Sequence, residues 1–366
     1  MSAYRVTFTP SGPYFFGNEK NFQYPGQEVK NDFGNLYYIR GERMPLQTTL
    51  LGALRYVLLP TKGLGDNLGS EESVQAIGKA SFDIDSKEIQ GFGKIKKISP
   101  VFLRKNEEYF IPTPFDHNCT TKKSEDGLTY YSPMSDYGEV YTLDGMKLYL
   151  RDYDAKYGIT DSFMSLSDAH LETELFTSDV RVGINRRDRA EGGFFKKEYV
   201  ALKRGFAFTV FADIDKEDLH GKFFTVLLGQ GKVPFSVLFE KEGEDCEKAL
   251  KTLEKKIVGI LKKNPVVYDR IYCAGDMLTD DGGLYDDMCF AITKTRDYRS
   301  FKTKNKGRIE KGSTLHRLVA AGSIFFPEQG KADAALRICK RTTEQQNAAN
   351  IGFNQMILIE KENKKL

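Results

Sequence analysis

The sequence predicts an α+β fold of two ferredoxin-like domains with loop insertions. Three observations carry this: alternating apolar segments recur in both halves, each half holds one clear amphipathic helix, and glycine turns join neighbouring strands as hairpins. The length of 366 residues accommodates two ordinary domains, and 40% hydrophobic, 29% charged and 12% aromatic residues describe a chain with a packed core.

The first strand is Tyr4–Thr9, where apolar and polar residues alternate up to Pro10. Ser11 to Phe22, rich in glycine and aromatics, reads as a structured loop. Pro45 then opens a helix over Leu46 to Leu59, which Pro60 closes. Leu46, Leu50, Leu54 and Leu58 recur every fourth residue and mark its buried face. Gln47, Thr48 and Thr49 occupy its first turn, where unpaired N–H groups and the positive end of the helix dipole attract anions, and Arg40 and Arg43 sit just before it.

Residues 61–130 read as an insertion: glycine, serine and charge dominate its first part, with a short helix near Glu71 to Ala80, and an irregular stretch with His117 and Cys119 follows. Asp161 to Phe176 carries a weak helical pattern. From Gly205 strand signals become dense, at Phe206–Phe211, Phe223–Leu228 and Phe235–Phe239, with Gly229-Gln230-Gly231-Lys232 turning the last two into a hairpin. Asp245 to Lys263 is the clearest helix, and strands follow near Arg270–Cys273 and Met288–Ile292. These elements place a domain boundary near residue 200, giving domains 1–200 and 201–366. Gln345 to Asn350 reads as a small-residue loop feeding a closing strand.

Charge points to function only where it clusters, since +3 is a small difference between 54 basic and 51 acidic residues. One cluster is Asp179 to Tyr199. Val180, Val182 and Ile184 alternate as a strand, six basic residues against two acidic ones lie between Arg181 and Lys197, and Gly192-Gly193 turns into Phe194-Phe195. Two readings stand: an exposed hairpin with solvated charges, or a cationic loop that grips an anionic chain. Guanidinium forks match phosphate oxygens and aromatic faces accept unstacked bases. Residues 294–311, with eight basic residues, read as a solvated basic loop or an auxiliary phosphate contact.

Catalytic signals are weak. Gly231-Lys232 is followed by Val233, which breaks a phosphate-binding loop, and Gly63 to Gly69 follows a helix rather than a strand. His117, His170, His220 and His316 lack a metal-ligand frame, His117 beside Asp116 and Cys119 being the one catalytic candidate. The five dispersed cysteines fit a reducing, cytoplasmic setting, and no apolar run reaches the roughly 18 residues of a membrane span. No metal or cofactor is expected.

Gly12-Pro13-Tyr14-Phe15-Phe16-Gly17, the helix from Pro45 to Arg55, Arg181-Val182-Gly183-Ile184 with Glu191-Gly192-Gly193-Phe194-Phe195, Ala321-Gly322-Ser323-Ile324-Phe325 and Asn350-Ile351-Gly352-Phe353 are spread over most of the chain. In this order they resemble the RAMP superfamily of CRISPR effector subunits. Within it, the nearest likeness is to the type III-B (Cmr) subunit that sits at the foot of the assembly and caps the 5′ tag of the guide RNA (crRNA). The resemblance implies paired ferredoxin-like domains of the RNA-recognition type and no catalysis by this subunit. It also implies contact with the large polymerase-like subunit and the first backbone subunit. RNA-binding candidates are then Gln47, Thr48, Thr49, Arg181, Gly183, Asn185, Arg186, Arg187, Gly322 and Gly352. The chain departs from the superfamily at Gln345 to Asn350, where asparagine and alanine replace most glycines of the usual loop. The alternatives are a repeat-cleaving endoribonuclease on the same fold, which needs a general acid and base, or the equivalent subunit of another type III complex.

Overall fold

The computed structural model describes residues 2–17, 38–60, 68–142, 145–154, 156, 158–184, 194–243, 245–263, 268–279, 283–303, 309–338 and 340–361. It is a mixed α+β structure of mostly antiparallel sheets with few helices. Among the described residues the helices are α1 (Gln47–Leu58), α2 (Glu71–Ile77), α3 (Cys246–Leu261), α4 (Gly283–Asp286), α5 (Ala332–Ile338) and α6 (Thr343–Asn350). None is long and apolar enough to cross a membrane.

The first strand, Ser2–Pro10, lies in the middle of the largest sheet, antiparallel to Phe206–Ile214 on one side and to Val233–Gly243 on the other. Phe223–Leu228 forms one edge, and Phe102–Lys105, Glu108–Pro112, Phe163–Ser165 and Leu171–Glu172 continue the other side. A cut at residue 200 would part the first strand from both its hydrogen-bonded neighbours. The expected boundary therefore does not separate the sheets, the first of which draws strands from residues 2 to 243. Nor does the first part of 61–130 stand apart: Ile95–Ile98 and Phe102–Lys105 both pair with Phe206–Ile214. The weak helical pattern of 161–176 gives way to the strands Phe163–Ser165 and Leu171–Glu172, whose pairing with the sheet overrides local propensity.

Every residue of Phe206–Ile214 is buried, because both faces of the sheet are covered. Phe208, Val210 and Ala212 face the core that holds Leu50, Leu54 and Leu58 of α1, as the fourfold spacing predicts. Phe211, on the opposite face, joins a second core built on α3, where Leu250, Leu253, Ile257 and Ile260 are buried. Each such side chain contributes roughly 1.5–3 kcal/mol on leaving water. The Asp245 carboxylate starts α3 by accepting from Glu247 N at 2.7 Å, a cap worth about 1 kcal/mol.

The second core is shared. Tyr272, Ile324, Phe326, Ile357 and Ile359 enter it from a four-stranded antiparallel sheet ordered Met288–Ile292, Ile324–Pro327, Arg270–Cys273, Met356–Ile359. Helix α3 thus packs between the two sheets. Within this core the fully buried Arg270 donates from Nη1 to Asp116 Oδ2 at 2.7 Å and to the Tyr131 hydroxyl at 2.8 Å, and from Nη2 to Leu261 O at 3.1 Å.

Two further expectations change. The segment 345–350 is helical, and its capping box pairs Thr342 with Gln345. The basic segment 294–311 contains the strands Thr295–Tyr298, Phe301–Thr303 and Ile309–Lys311, so among its described residues it is a paired structure rather than a loop.

Candidate functional site

The predicted hairpin forms. Phe176–Ile184 pairs antiparallel with Phe194–Leu202 in unbroken register, and Lys196–Glu198 pairs in parallel with Tyr38–Arg40. That short strand leads directly into residues 41–47 and the start of α1. Tyr14 locks the junction: it exchanges backbone hydrogen bonds of 2.8 Å with Val200, and its hydroxyl donates to Arg43 O at 2.7 Å. The hairpin and the helix start, picked out separately in the sequence, are therefore one continuous surface.

Beside them opens a cleft of about 530 Å³, lined by Arg40, Arg43, Gln47, Phe115, Asp161, Lys294, Arg296 and Ala321 among others. Its walls come from the helix start, from Ile159–Phe163 and from turns of the C-terminal half. Arg296 fastens the halves together, donating from Nη2 to Glu42 Oε2 at 2.7 Å and from Nη1 to Asp276 Oδ2 at 2.9 Å. Burial would lower the guanidinium pKa, but the two carboxylates more than offset this and raise it. Arg296 is thus a strut. Arg43 pairs with Asp161 across the rim at a half-exposed position. Lys294 forms no ion pair among the described residues and is the cation left for a ligand.

The predicted residues divide into three groups. Gln47 is buried; its Nε2 donates to Ser99 O at 3.0 Å and to Gly352 O at 3.1 Å, leaving Oε1 without a partner. Thr48 stands beside the buried Tyr298 phenol, which burial pushes up to about 12 while Ser300 and Thr48 work the other way. Thr49 N donates to Leu46 O at 2.9 Å, within the first turn. Gly352 has φ +94°, and a Cβ there would lie 2.3 Å from both Gln47 Nε2 and Ser99 O. Gly322, at φ +95°, would press a Cβ to 2.5 Å from the Phe115 ring. The observed contacts of Gln47, Gly322 and Gly352 are internal to the cleft wall.

Arg181 and Gly183 lie on the hairpin. Arg181 is exposed, bonds Asp179 Oδ2 from Nε and Nη2 at 2.8 and 2.6 Å, and stacks 4.5 Å from the Tyr199 ring centroid. Gly183 pairs with Phe195. Asn185, Arg186 and Arg187 lie outside the described residues. His117 is no exposed acid–base group. It is buried, its Nδ1 accepts from Ser132 N at 3.1 Å, and burial lowers its pKa.

A family model of CRISPR-associated proteins, Cas_Cmr3, matches residues 7–361. The chain belongs to the Cas_Cmr3 family. A chain from a cryo-electron microscopy structure of type III-B Cmr-beta bound to cognate target RNA is similar to it at 14% identity, covering 96% of each chain with a TM-score of 0.50, a likeness of fold. Another, from Cmr-beta bound to cognate target RNA and AMPPnP, has 13% identity over 97% of this chain and 99% of that one, with a TM-score of 0.49. No curated protein matches.

Two features of this Cas_Cmr3 chain escaped sequence reasoning. Arg296 and Glu42 are 254 positions apart, and no local pattern pairs them. Lys197 did leave a signal, because adjacent lysines on a strand point to opposite faces. Lys196 is exposed, whereas Lys197 is buried 3.9 Å from the Phe15 ring centroid and donates to Gln230 Oε1 at 2.6 Å. Burial pushes its ammonium down to about 8.

Proposed function

We propose that this chain is a non-catalytic subunit of a type III-B CRISPR effector. In this reading it holds the 5′ tag of the guide RNA and anchors the large polymerase-like and first backbone subunits. The observation that carries the reading is the continuity of the Arg181 hairpin, through Tyr38–Arg40, with the cleft at Lys294 and the start of α1. Exposed guanidinium on the hairpin suits phosphate, and Tyr199 offers an aromatic face. Family membership supports the assembly.

Paired ferredoxin-like units belong to the same proposal. In the C-terminal sheet the strands stand second, third, first and fourth in chain order, the order of a βαββαβ unit, and Phe102–Lys105, Phe206–Ile214, Ser2–Pro10 and Val233–Gly243 repeat it in the first sheet.

Reconstitution with a guide RNA carrying a photo-crosslinking base in its 5′ tag tests this. Crosslinked peptides from 38–47, 176–202 or 294–297 are expected; crosslinks confined to other surfaces would contradict it. Cleavage of repeat RNA by the purified chain, lost in His117→Ala, would favour the endoribonuclease instead.

A further inference from the structure

A group of one imidazole and two carboxylates lies at the far end of the strands that wall the cleft. Glu108–Pro112 carries Glu108 at one end and the cleft residue Pro112 at the other, about 13 Å apart at 3.3 Å per residue. Its antiparallel neighbour places Phe163 at the cleft and Ser165 beside Glu108. The turn that follows brings Asp168 and His170 to the same point, with Ala169 between them at φ +70°.

One ligand atom from each of Glu108, Asp168 and His170 lies within 4.8 Å of the other two. His170 Nδ1 is 2.6 Å from Asp168 Oδ1, and the edge-to-face Phe110 ring, 5.7 Å between centroids, fixes the imidazole plane. The hydroxyls of Ser165 and Ser167 both donate to Glu108 Oε1. Two carboxylates so close repel, by roughly 1 kcal/mol in water and several times that at a protein surface. Yet among the described residues neither Glu108 nor Asp168 pairs with a lysine or arginine. Lys105, opposite Glu108 on the neighbouring strand, instead sits over the Phe206 ring at 5.4 Å. The donors that do meet them are the Ser165 and Ser167 hydroxyls on Glu108 and the His170 imidazole on Asp168.

We propose that Glu108, Asp168 and His170 bind one divalent transition-metal cation of the Zn²⁺ class. One imidazole nitrogen and two carboxylate oxygens suit such an ion and leave a position for water. On binding, the imidazole proton moves from Nδ1 to Nε2, freeing the Nδ1 lone pair for the metal. Ser165 and Ser167 then orient the ligating Glu108 oxygens from outside. The ion staples the turn 166–170 to the strand ends and so stiffens the cleft wall.

Calorimetric titration of the metal-free full chain with Zn²⁺ tests this, beside His170→Ala and Asp168→Asn, with thermal melts reporting that each variant is folded. One saturable equivalent on the native chain is expected, weakened at least tenfold in both variants. Asp168→Asn, a near-isosteric change at an exposed position, decides the matter if His170→Ala fails to fold. Absence of stoichiometric binding overturns the proposal. So does unchanged affinity in the folded variants, which would place the ion elsewhere, such as at the exposed thiol of Cys119.

Discussion

Gln47 and Gly352 are 305 positions apart in the chain and one hydrogen bond apart in the fold. The bond ties the start of α1 to the C-terminal segment at the cleft, and Ser99 O takes the second amide proton. Both residues stood out in the sequence as ligand contacts; what they do together is hold one wall to the other half of the molecule.

Gly352→Ala is therefore expected to destabilise the chain by about 2–4 kcal/mol, combining the left-handed backbone cost with the overlap against Gln47 and Ser99. Gly127→Ala is the control: φ is also positive, +79°, but the Cβ meets nothing within 4 Å, so only about 1–2 kcal/mol is lost. Urea denaturation of the two variants measures the difference, and equal losses would refute the packing argument.

Asp116→Ala strands a fully buried guanidinium and should cost about 3–5 kcal/mol. Replacing both partners by apolar residues, Asp116→Leu with Arg270→Met, should recover much of that loss. Denaturation midpoints check this; a double variant no more stable than the single one would show that shape rather than charge dominates there.

Lys197 gives a pH signature. Its folded pKa of about 8 lies below the ordinary lysine value of 10.5, so between these limits the unfolded chain binds more protons. The Lys197 contribution to stability therefore rises with pH over that window. The native chain should gain stability relative to Lys197→Met from pH 8 to 10.5, measured by urea denaturation at each pH. A difference independent of pH would contradict the burial argument.

What was legible in the sequence was local. Helices α1 and α3 show their buried faces every three or four residues, and the Val180/Val182/Ile184 alternation announces the hairpin strand. The strand Ile95–Ile98 was hidden because Lys96 and Lys97 fill its middle, and its pairing partner lies more than a hundred residues away. The partners of the first strand were hidden for the same reason, since Ser2–Pro10 finds its neighbours only after residue 205. Helix α6 looked like a loop because it is short and polar, although the Thr342–Gln345 box was a readable start signal. The cleft joins residues near 42, 161, 276 and 296, which no window along the chain unites.

The salt dependence of guide-RNA binding by the chain tests the central claim most directly. Each phosphate contact to a single strand contributes about 0.7 to the slope of log affinity against log salt. Arg181→Ala, Arg186→Ala and Arg187→Ala combined should therefore flatten that slope by about 2 and weaken binding at low salt. A combined variant with the native slope and affinity would remove the hairpin from the RNA and contradict the account.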